Sequence, residues 1–207
     1  MDIVLTGASG GIGSAIYRVL YKEGINVLPL SSKDIDLAKD FIWEDNCQYD
    51  GLIHCAGINP VKSFNEVEYE EFLEVMNVNS YSFLNLCKQI KFKENINIIA
   101  IGSLWATHTK KGRIQYTMSK HSLHGAVKNL AIEMSNKNIK VNMVSPGFVY
   151  TDMTVQNNTL EEIKTINDSI PLGFTKPNEI AKMCKYLVKE NETITGQNLI
   201  IDGGYTL

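Results

Sequence analysis

The 207-residue chain lacks an excess of either charge sign, a cysteine pattern and any long apolar stretch, and each lack removes a class of function. Its four cysteines, Cys47, Cys55, Cys87 and Cys184, are scattered without a C-x-x-C pair, so buried reduced thiols are expected rather than a zinc site or a disulfide framework. A formal charge of −3 offers no basic face for nucleic acid, and a small neutral or anionic ligand suits it better. Apolar runs such as INIIAI are too short to span a bilayer, and residues 1–20 lack the basic start and long apolar region of a signal peptide. No membrane partner and a cytoplasmic location are expected. No internal repeat or low-complexity tract interrupts the chain, whose length suits one domain over residues 1–207 with a core that needs no covalent staple.

What is present is an alternation. IVLTG is a β-branched run ending in glycine, followed by a helical stripe of Ile12, Ile16, Val19 and Leu20 that stops at Gly24. NVLPL, GLIHCAG, INIIAIGS, IKVNMVSPG and QNLIIDGG are further short apolar runs, and helices are predicted between them at residues 68–76, 80–89, 116–135 and 178–189. Apolar strands alternating with helices indicate an α/β fold with a doubly wound, Rossmann-like parallel sheet. One interval is short. Residues 31–50 are too few for two crossovers and a strand between them, which predicts that the third strand and its helix are missing or reduced to a stub at residues 35–37. That strand would lie at the sheet edge, so its loss exposes the second strand without cutting the core.

The opening glycines admit two chemistries. Gly7-Ala8-Ser9-Gly10-Gly11 matches a nucleophile elbow, which would make Ser9 a hydrolytic nucleophile. An elbow needs an oxyanion loop from an earlier strand and a histidine and acid in the right order, and only eight residues precede Ser9. The same letters supply Gly7 for a tight turn, Gly11 for close approach of a pyrophosphate and Gly13 for helix packing, with Ser9 as a loop contact. Taken alone, this is also an ordinary strand–helix turn.

Further along, Tyr116 and Lys120 stand four apart on a predicted helix and so share a face. A fixed ammonium beside a phenol favours the phenolate and makes the pair a tunable acid–base. Ser103 ends a predicted strand at the carboxyl edge of the sheet, where its hydroxyl can hold a carbonyl oxygen. A Y-x-x-x-K spacing by itself is usually a coincidence of a solvated helix.

The combination changes that reading. TGASGGIG, HCAG, NVNS, IGS with YTMSK, VNMVSPGFVYTDM, PLGFTKPNEIA and TGQNLIIDGG, in this order over nearly the whole chain, resemble the short-chain dehydrogenase/reductase family, closest in motifs to its 3-oxoacyl-acyl-carrier-protein reductase-like members. The resemblance implies an NAD(P)-dependent oxidoreductase acting on a ketone or secondary alcohol. It makes Tyr116 the general acid or base, with Ser103 polarising the substrate oxygen. Lys120 would bind the nicotinamide ribose and depress the tyrosine pKa, and Asn79 would hold a water in the proton relay. It places Gly7, Ser9, Gly11, Ile12 and Gly13 at the phosphates, Ser31, Ser32 and Asp36 at the adenosine end, and Ala56 and Gly57 against the cofactor. Pro146 and Gly147 would lie beneath the nicotinamide, with Val149 and Thr151 at its carboxamide. The alternative, a catalytically idle nucleotide-sensing module of the same fold, does not explain an intact Asn79, Ser103, Tyr116 and Lys120 set.

Two departures stand out. The usual N-N-A-G is His54-Cys55-Ala56-Gly57, so hydrogen bonds to neighbouring strands need another source. At the end of the second strand Ser31, Ser32 and Lys33 replace the carboxylate of an NAD enzyme, which favours NADP(H), with NAD(H) possible and Asp34 close by. His121 and His124 lack a third ligand, and no metal is expected. The substrate would sit between residues 104–113 and a substrate loop at about 150–172, a wall of moderate size with no defined charge partner. Apolar residues on more than one side of the helices at 80–89 and 116–135, among them Phe83, Leu86, Leu123, Val127 and Leu130, predict a homodimer or homotetramer.

Overall fold

A computed structural model describes residues 1–156 and 158–207. Asn157, within the expected substrate loop, lies outside the described residues. The first strand, β1 (Asp2–Thr6), leads into α1 (Gly11–Lys22), which ends where Gly24 takes φ +73°, a conformation that glycine adopts without steric cost. There follow β2 (Asn26–Leu30), β3 (Gln48–His54), α2 (Tyr69–Met76), a π turn (Asn77–Tyr81) and α3 (Ser82–Gln89). After β4 (Lys91–Ile101) come α4 (Ile114–Glu133), β5 (Lys140–Pro146), α5 (Asp152–Gln156), α6 (Leu160–Ser169), α7 (Pro177–Lys189) and β6 (Asn198–Ile201). The six strands form one sheet in the order β2-β1-β3-β4-β5-β6, with every neighbouring pair parallel.

The two-residue period of the strands sorts the core into two layers. Val4, Leu52, Ile98, Ala100, Val141 and Met143 face α3 and α4, meeting Phe83, Leu86, Leu123 and Val127. Ile3, Leu5, Ile53, Ile99, Ile101 and Val144 face the other way, onto Ile16 and Leu20 of α1 and Ile180, Cys184 and Leu187 of α7. Each of the Val, Leu, Ile, Met and Phe side chains among them stabilises the fold by roughly 1.5–3 kcal/mol. Four of the five residues on which self-association was expected, Phe83, Leu86, Leu123 and Val127, are therefore wholly interior, and Leu130 is partly covered by the same cluster. They serve the sheet rather than a second copy.

Residues 31–47 contain neither helix nor strand, so the missing unit is absent and residues 35–37 do not survive as a strand. β2 is consequently an edge, which is where Pro29 can sit without breaking a ladder. Amide side chains hold the shortened segment: Asn77 Nδ2 donates to the Ala38 carbonyl at 2.8 Å, Gln89 Nε2 to the Phe41 carbonyl at 2.9 Å, and Gln89 Oε1 accepts from the Trp43 amide at 2.8 Å. The expected substrate loop is itself largely helical. Thr159 and Glu162 form a capping box that starts α6, a T-x-x-E signal present in the sequence. α4 starts two residues before the expected Tyr116, a difference that puts Arg113 at its N-cap. Of the thiols, Cys87 and Cys184 are buried as expected, whereas Cys55 is partly exposed and Cys47 is exposed on the segment before β3.

Candidate active site

The site opens at the carboxyl ends of the strands. Gly7 has φ +65°, and a Cβ there would stand 2.6 Å from the Ala56 nitrogen; one on Gly13 would be 2.1 Å from the Gly7 carbonyl oxygen. Only glycine lets the first turn of α1 lie this close to the β1–α1 turn and to the end of β3. Gly10 caps α1 without a side-chain bond, and the first amides of a helix have no intrahelical acceptor, so this end presents donors and the positive end of the helix dipole.

A groove of about 480 Å³ runs over that turn. Gly7, Ser9, Gly11, Ile12 and Gly13 form its floor, Ser31, Ser32 and Asp36 one end, and Ala56, Gly57, Tyr116, Lys120 and Thr151 the other. Leu30, Ile35, Leu37 and Ala38 add an apolar slot that sequence reasoning did not assign. An adjoining cavity of about 110 Å³ is bounded by Ser103, Pro146, Gly147, Val149 and Thr151, and Tyr116 lines both spaces. The C-terminal tail closes this side, with Tyr205 edge-on to Phe148 at 5.1 Å and Phe148 edge-on to Trp105 at 6.1 Å.

Of the expected site residues only Asn79 lines neither space. It sits in the π turn, fully buried, where Oδ1 accepts from the Ile58 amide at 2.8 Å and Nδ2 donates to the Ile58 carbonyl and the Ser119 hydroxyl, both at 2.9 Å. It therefore pins the segment after β3. Lys120 Nζ donates to the Ile101 carbonyl at 2.9 Å and lies 5.7 Å from the Tyr116 ring centroid. Burial pulls the Lys120 pKa down to about 8. Burial also raises the Tyr116 phenol, with the Ser103 hydroxyl and the Arg113 guanidinium pulling the other way. The depression expected from Lys120 does not appear: Ser103 and Arg113 are what lower the phenol, and the loss of solvent outweighs them. Ser103 caps the turn Leu104–Ala106, its hydroxyl accepting from the Trp105 amide at 3.3 Å.

His54 and Cys55 fill the place of the missing asparagines. His54 Nδ1 is 3.0 Å from the Thr6 hydroxyl, whose oxygen also accepts from the Cys55 and Ala56 amides. With its lone pairs so used, Thr6 donates to Nδ1, and Nε2–H points to Ser82 Oγ at 3.4 Å, which itself donates to the Val78 carbonyl. This neutral tautomer suits a completely buried ring, and burial drives the His54 pKa down to about 3. Burial likewise pushes the Cys55 thiol up to about 12. Ser9 is exposed and has no histidine partner among the described residues, which leaves the nucleophile elbow without its base.

The cavity wall differs from expectation in one respect. The sequence predicts no charge partner there, yet Arg113 and Lys110 both line it. The sequence signal was the single basic residue three before Tyr116, which becomes interpretable only once α4 is seen to begin there. At the end expected to hold adenosine, Lys33 is not part of the groove wall, and Asp34 Oδ2 accepts from both the amide and the hydroxyl of Ser31 at 2.7 Å. These contacts hold the Asp34 carboxyl below its usual range.

Glycines where a Cβ would collide, helix-start amides, an apolar slot and a buried lysine form a donor and shape set that fits a dinucleotide. Comparison with known proteins agrees. A family profile described as enoyl-(acyl carrier protein) reductase matches residues 30–206. The 3-oxoacyl-[acyl-carrier-protein] reductase of Buchnera aphidicola is 31% identical over 97% of this chain and 95% of that protein. A short-chain dehydrogenase family protein from Francisella tularensis superposes with a TM-score of 0.89 at 27% identity, covering 99% of this chain and 98% of that one. A 4-hydroxyisoleucine dehydrogenase mutant solved with NADH and succinate gives 0.88 at 25% identity, covering 100% and 98%.

Proposed function

The chain belongs to the short-chain dehydrogenase/reductase family as an NAD(P)-dependent enzyme, and on that premise we propose that it interconverts a ketone and a secondary alcohol with Tyr116 as the proton-transferring residue. The observation that carries the proposal is that Tyr116 lines both the groove and the small cavity, with Lys120 on the groove side and Ser103 on the cavity side. The nicotinamide, when bound, supplies a hydride to the carbonyl carbon. Tyr116 gives its hydroxyl proton to the carbonyl oxygen, completing the alcohol, and takes that proton back in the oxidative direction. Ser103 holds the substrate oxygen by its hydroxyl. Lys120, held at 2.9 Å from the Ile101 carbonyl, stabilises the phenolate left after transfer. Asn79 fixes the 55–58 segment against which Lys120 is packed, since a Cβ on Gly57 would lie 3.3 Å from Asn79 Oδ1 and 3.6 Å from Lys120 Nζ. The glycine turn with Ser9 and Ile12 holds the phosphates, and Thr151, Thr154 and Asn158 bring the 150–172 segment to the substrate side.

At the adenosine end Asp34 supports NAD(H), against the NADP(H) preference expected from Ser31, Ser32 and Lys33. Its carboxylate, outside the groove wall but bonded to Ser31, opposes a 2′-phosphate, whereas ribose hydroxyls can donate to Asp36, which lines the groove. A homodimer or homotetramer belongs to the same reading, supported now by Leu73, Tyr81, Leu84 and Met118, apolar side chains left exposed on α2, the π turn, α3 and α4.

The test is ketone-dependent oxidation of reduced cofactor. Replacing Tyr116 by Phe should lower turnover by about 10²–10⁴-fold with cofactor affinity retained. Ser9→Ala should mainly weaken cofactor binding, since it removes at most one hydrogen bond worth about 0.5–3 kcal/mol. Near wild-type turnover by the Tyr116 variant would defeat the assignment.

A further inference from the structure

The groove and the small cavity differ in charge. Asp36, Glu74 and Asp152 line the groove, whereas the cavity wall contains two cations, Lys110 and Arg113, and no acidic residue among those described. Lys110 is exposed at the mouth, 5.8 Å from the Phe148 ring centroid and close enough to Glu162 to lower its carboxyl pKa. Arg113 is only 7% exposed. It sits at the N-cap of α4, three residues before Tyr116, so its guanidinium and the phenol belong to the same turn.

The hydrogen bonds of that guanidinium both leave Nη1, to Asn59 Oδ1 at 2.8 Å and to the Asn59 carbonyl at 3.4 Å. Among the described residues Arg113 has no ion pair, and Nε and Nη2 have no acceptor. Glu71, which reaches α4 at Gln115, is already engaged: it pairs with Lys62 and accepts from Gln115 Nε2 at 2.6 Å. An arginine does not lose its proton in a protein, and a buried charge without a counter-charge costs several kcal/mol. A guanidinium whose Nε–Nη2 edge is unused, on the wall of a cavity too small for a drug-sized ligand, matches a carboxylate in size, sign and bidentate geometry.

We infer that the substrate is a small oxo acid or hydroxy acid whose carboxylate is bound by Arg113 while its carbonyl or hydroxyl oxygen lies at Ser103 and Tyr116. This rests on the reading of Tyr116 and Ser103 above and narrows it from ketones in general to ketones carrying a carboxylate. No new bond-making step is involved, because the carboxylate is held and does not react.

The experiment compares pyruvate, acetoacetate and levulinate, which vary the distance between carbonyl and carboxylate, each with its methyl ester, at saturating reduced cofactor. For at least one pair the acid should exceed the ester by about 100-fold or more in kcat/KM. Arg113→Met should bring that ratio close to one, chiefly through KM, and Arg113→Lys should keep part of it. Arg113→Gln, which can still reach Asn59, is the neutral variant to use if the methionine form does not fold. A readout independent of turnover is thermal unfolding with propanoate against equal chloride, cofactor present: the wild type should be stabilised by the carboxylate and the neutral variants should not. Esters turned over as well as acids would overturn the inference. So would an acid preference that survives in the neutral variants, or variants that shift only the pH–rate profile, which would assign Arg113 to the Tyr116 phenol. If no ketone, acid or ester is reduced, the reductase reading fails, and the propanoate measurement still decides for or against Arg113 as an anion site.

Discussion

The two ends of the cofactor groove are built on different physical terms. The end at Tyr116 and Lys120 is made of buried side chains whose polar atoms are bonded to the sheet itself: Lys120 to the last carbonyl of β4, Asn79 to the segment after β3, His54 to Thr6 of β1. The end at Ser31 and Asp36 is made of turns on an exposed edge, where Asp34 bonds to Ser31 and Asp36 pairs with Lys39 in contact with water. Low dielectric magnifies every charge at the first end and solvent screens the second, so chemistry is concentrated where the sheet is complete, and the site tolerates loss of a helix–strand unit where it is not.

The difference should be largest in acid. His54 is neutral in the folded protein with a pKa of about 3, while the unfolded chain binds its proton near the ordinary imidazole value of 6.5. Between those values the unfolded state holds the extra proton, so stability falls as pH falls, with a slope approaching about 1.4 kcal/mol per pH unit and a loss of about 2 kcal/mol between pH 6.5 and 4.5. Urea unfolding across that interval should show the slope in the wild type and a flatter one in His54→Asn. An equal slope in both would mean the interior end is not set by this ring. A smaller effect is expected from Asn79→Ala, which leaves the Ile58 amide and carbonyl without their partner and should cost about 1–3 kcal/mol in stability along with a loss of turnover. Full activity with unchanged stability would remove Asn79 from the pinning role. The smallest belongs to the exposed rim. Asp34→Asn should shift the ratio of NADH to NADPH affinity toward NADPH by no more than about fivefold, with the unfolding midpoint unmoved, in parallel cofactor titrations. A change well beyond that size would show that the rim is not screened as its exposure implies.

Much of the first end was legible because its determinants are local. Gly7, Gly11 and Gly13 announce a turn by their spacing, Tyr116 and Lys120 a shared helix face, and the five apolar runs after β1 the strands that carry them. The short interval at 31–50 also announced the missing unit, since chain length alone forbids it. Less legible were the amides of Asn77 and Gln89 that hold the shortened segment, because nothing in a lone polar residue says which carbonyl it will meet 39 or 48 positions away. The helical form of residues 160–169 was missed although Thr159 and Glu162 signal it. Apolar faces were legible as apolar but not as inward or outward: Phe83 and Leu123 belong to the core, Leu84 and Met118 to the surface.

Local pattern, then, was enough for the parallel α/β sheet, the glycine turn and the shared face of Tyr116 and Lys120, because period, glycine freedom and helix spacing act over a few residues, whereas a role for the turn and the pair came only from the ordered set of motifs along the chain. Tertiary structure alone decided the charge of the small cavity beside Tyr116. Arg113 is an unremarkable basic residue in the sequence; it becomes a buried cation in need of a partner only because α4 starts at Ile114, Asn59 takes one edge of its guanidinium and Glu71 is already held by Lys62 and Gln115. Electrostatic need depends on which groups are brought together and which are shielded from water, and neither is a property of any short stretch of chain.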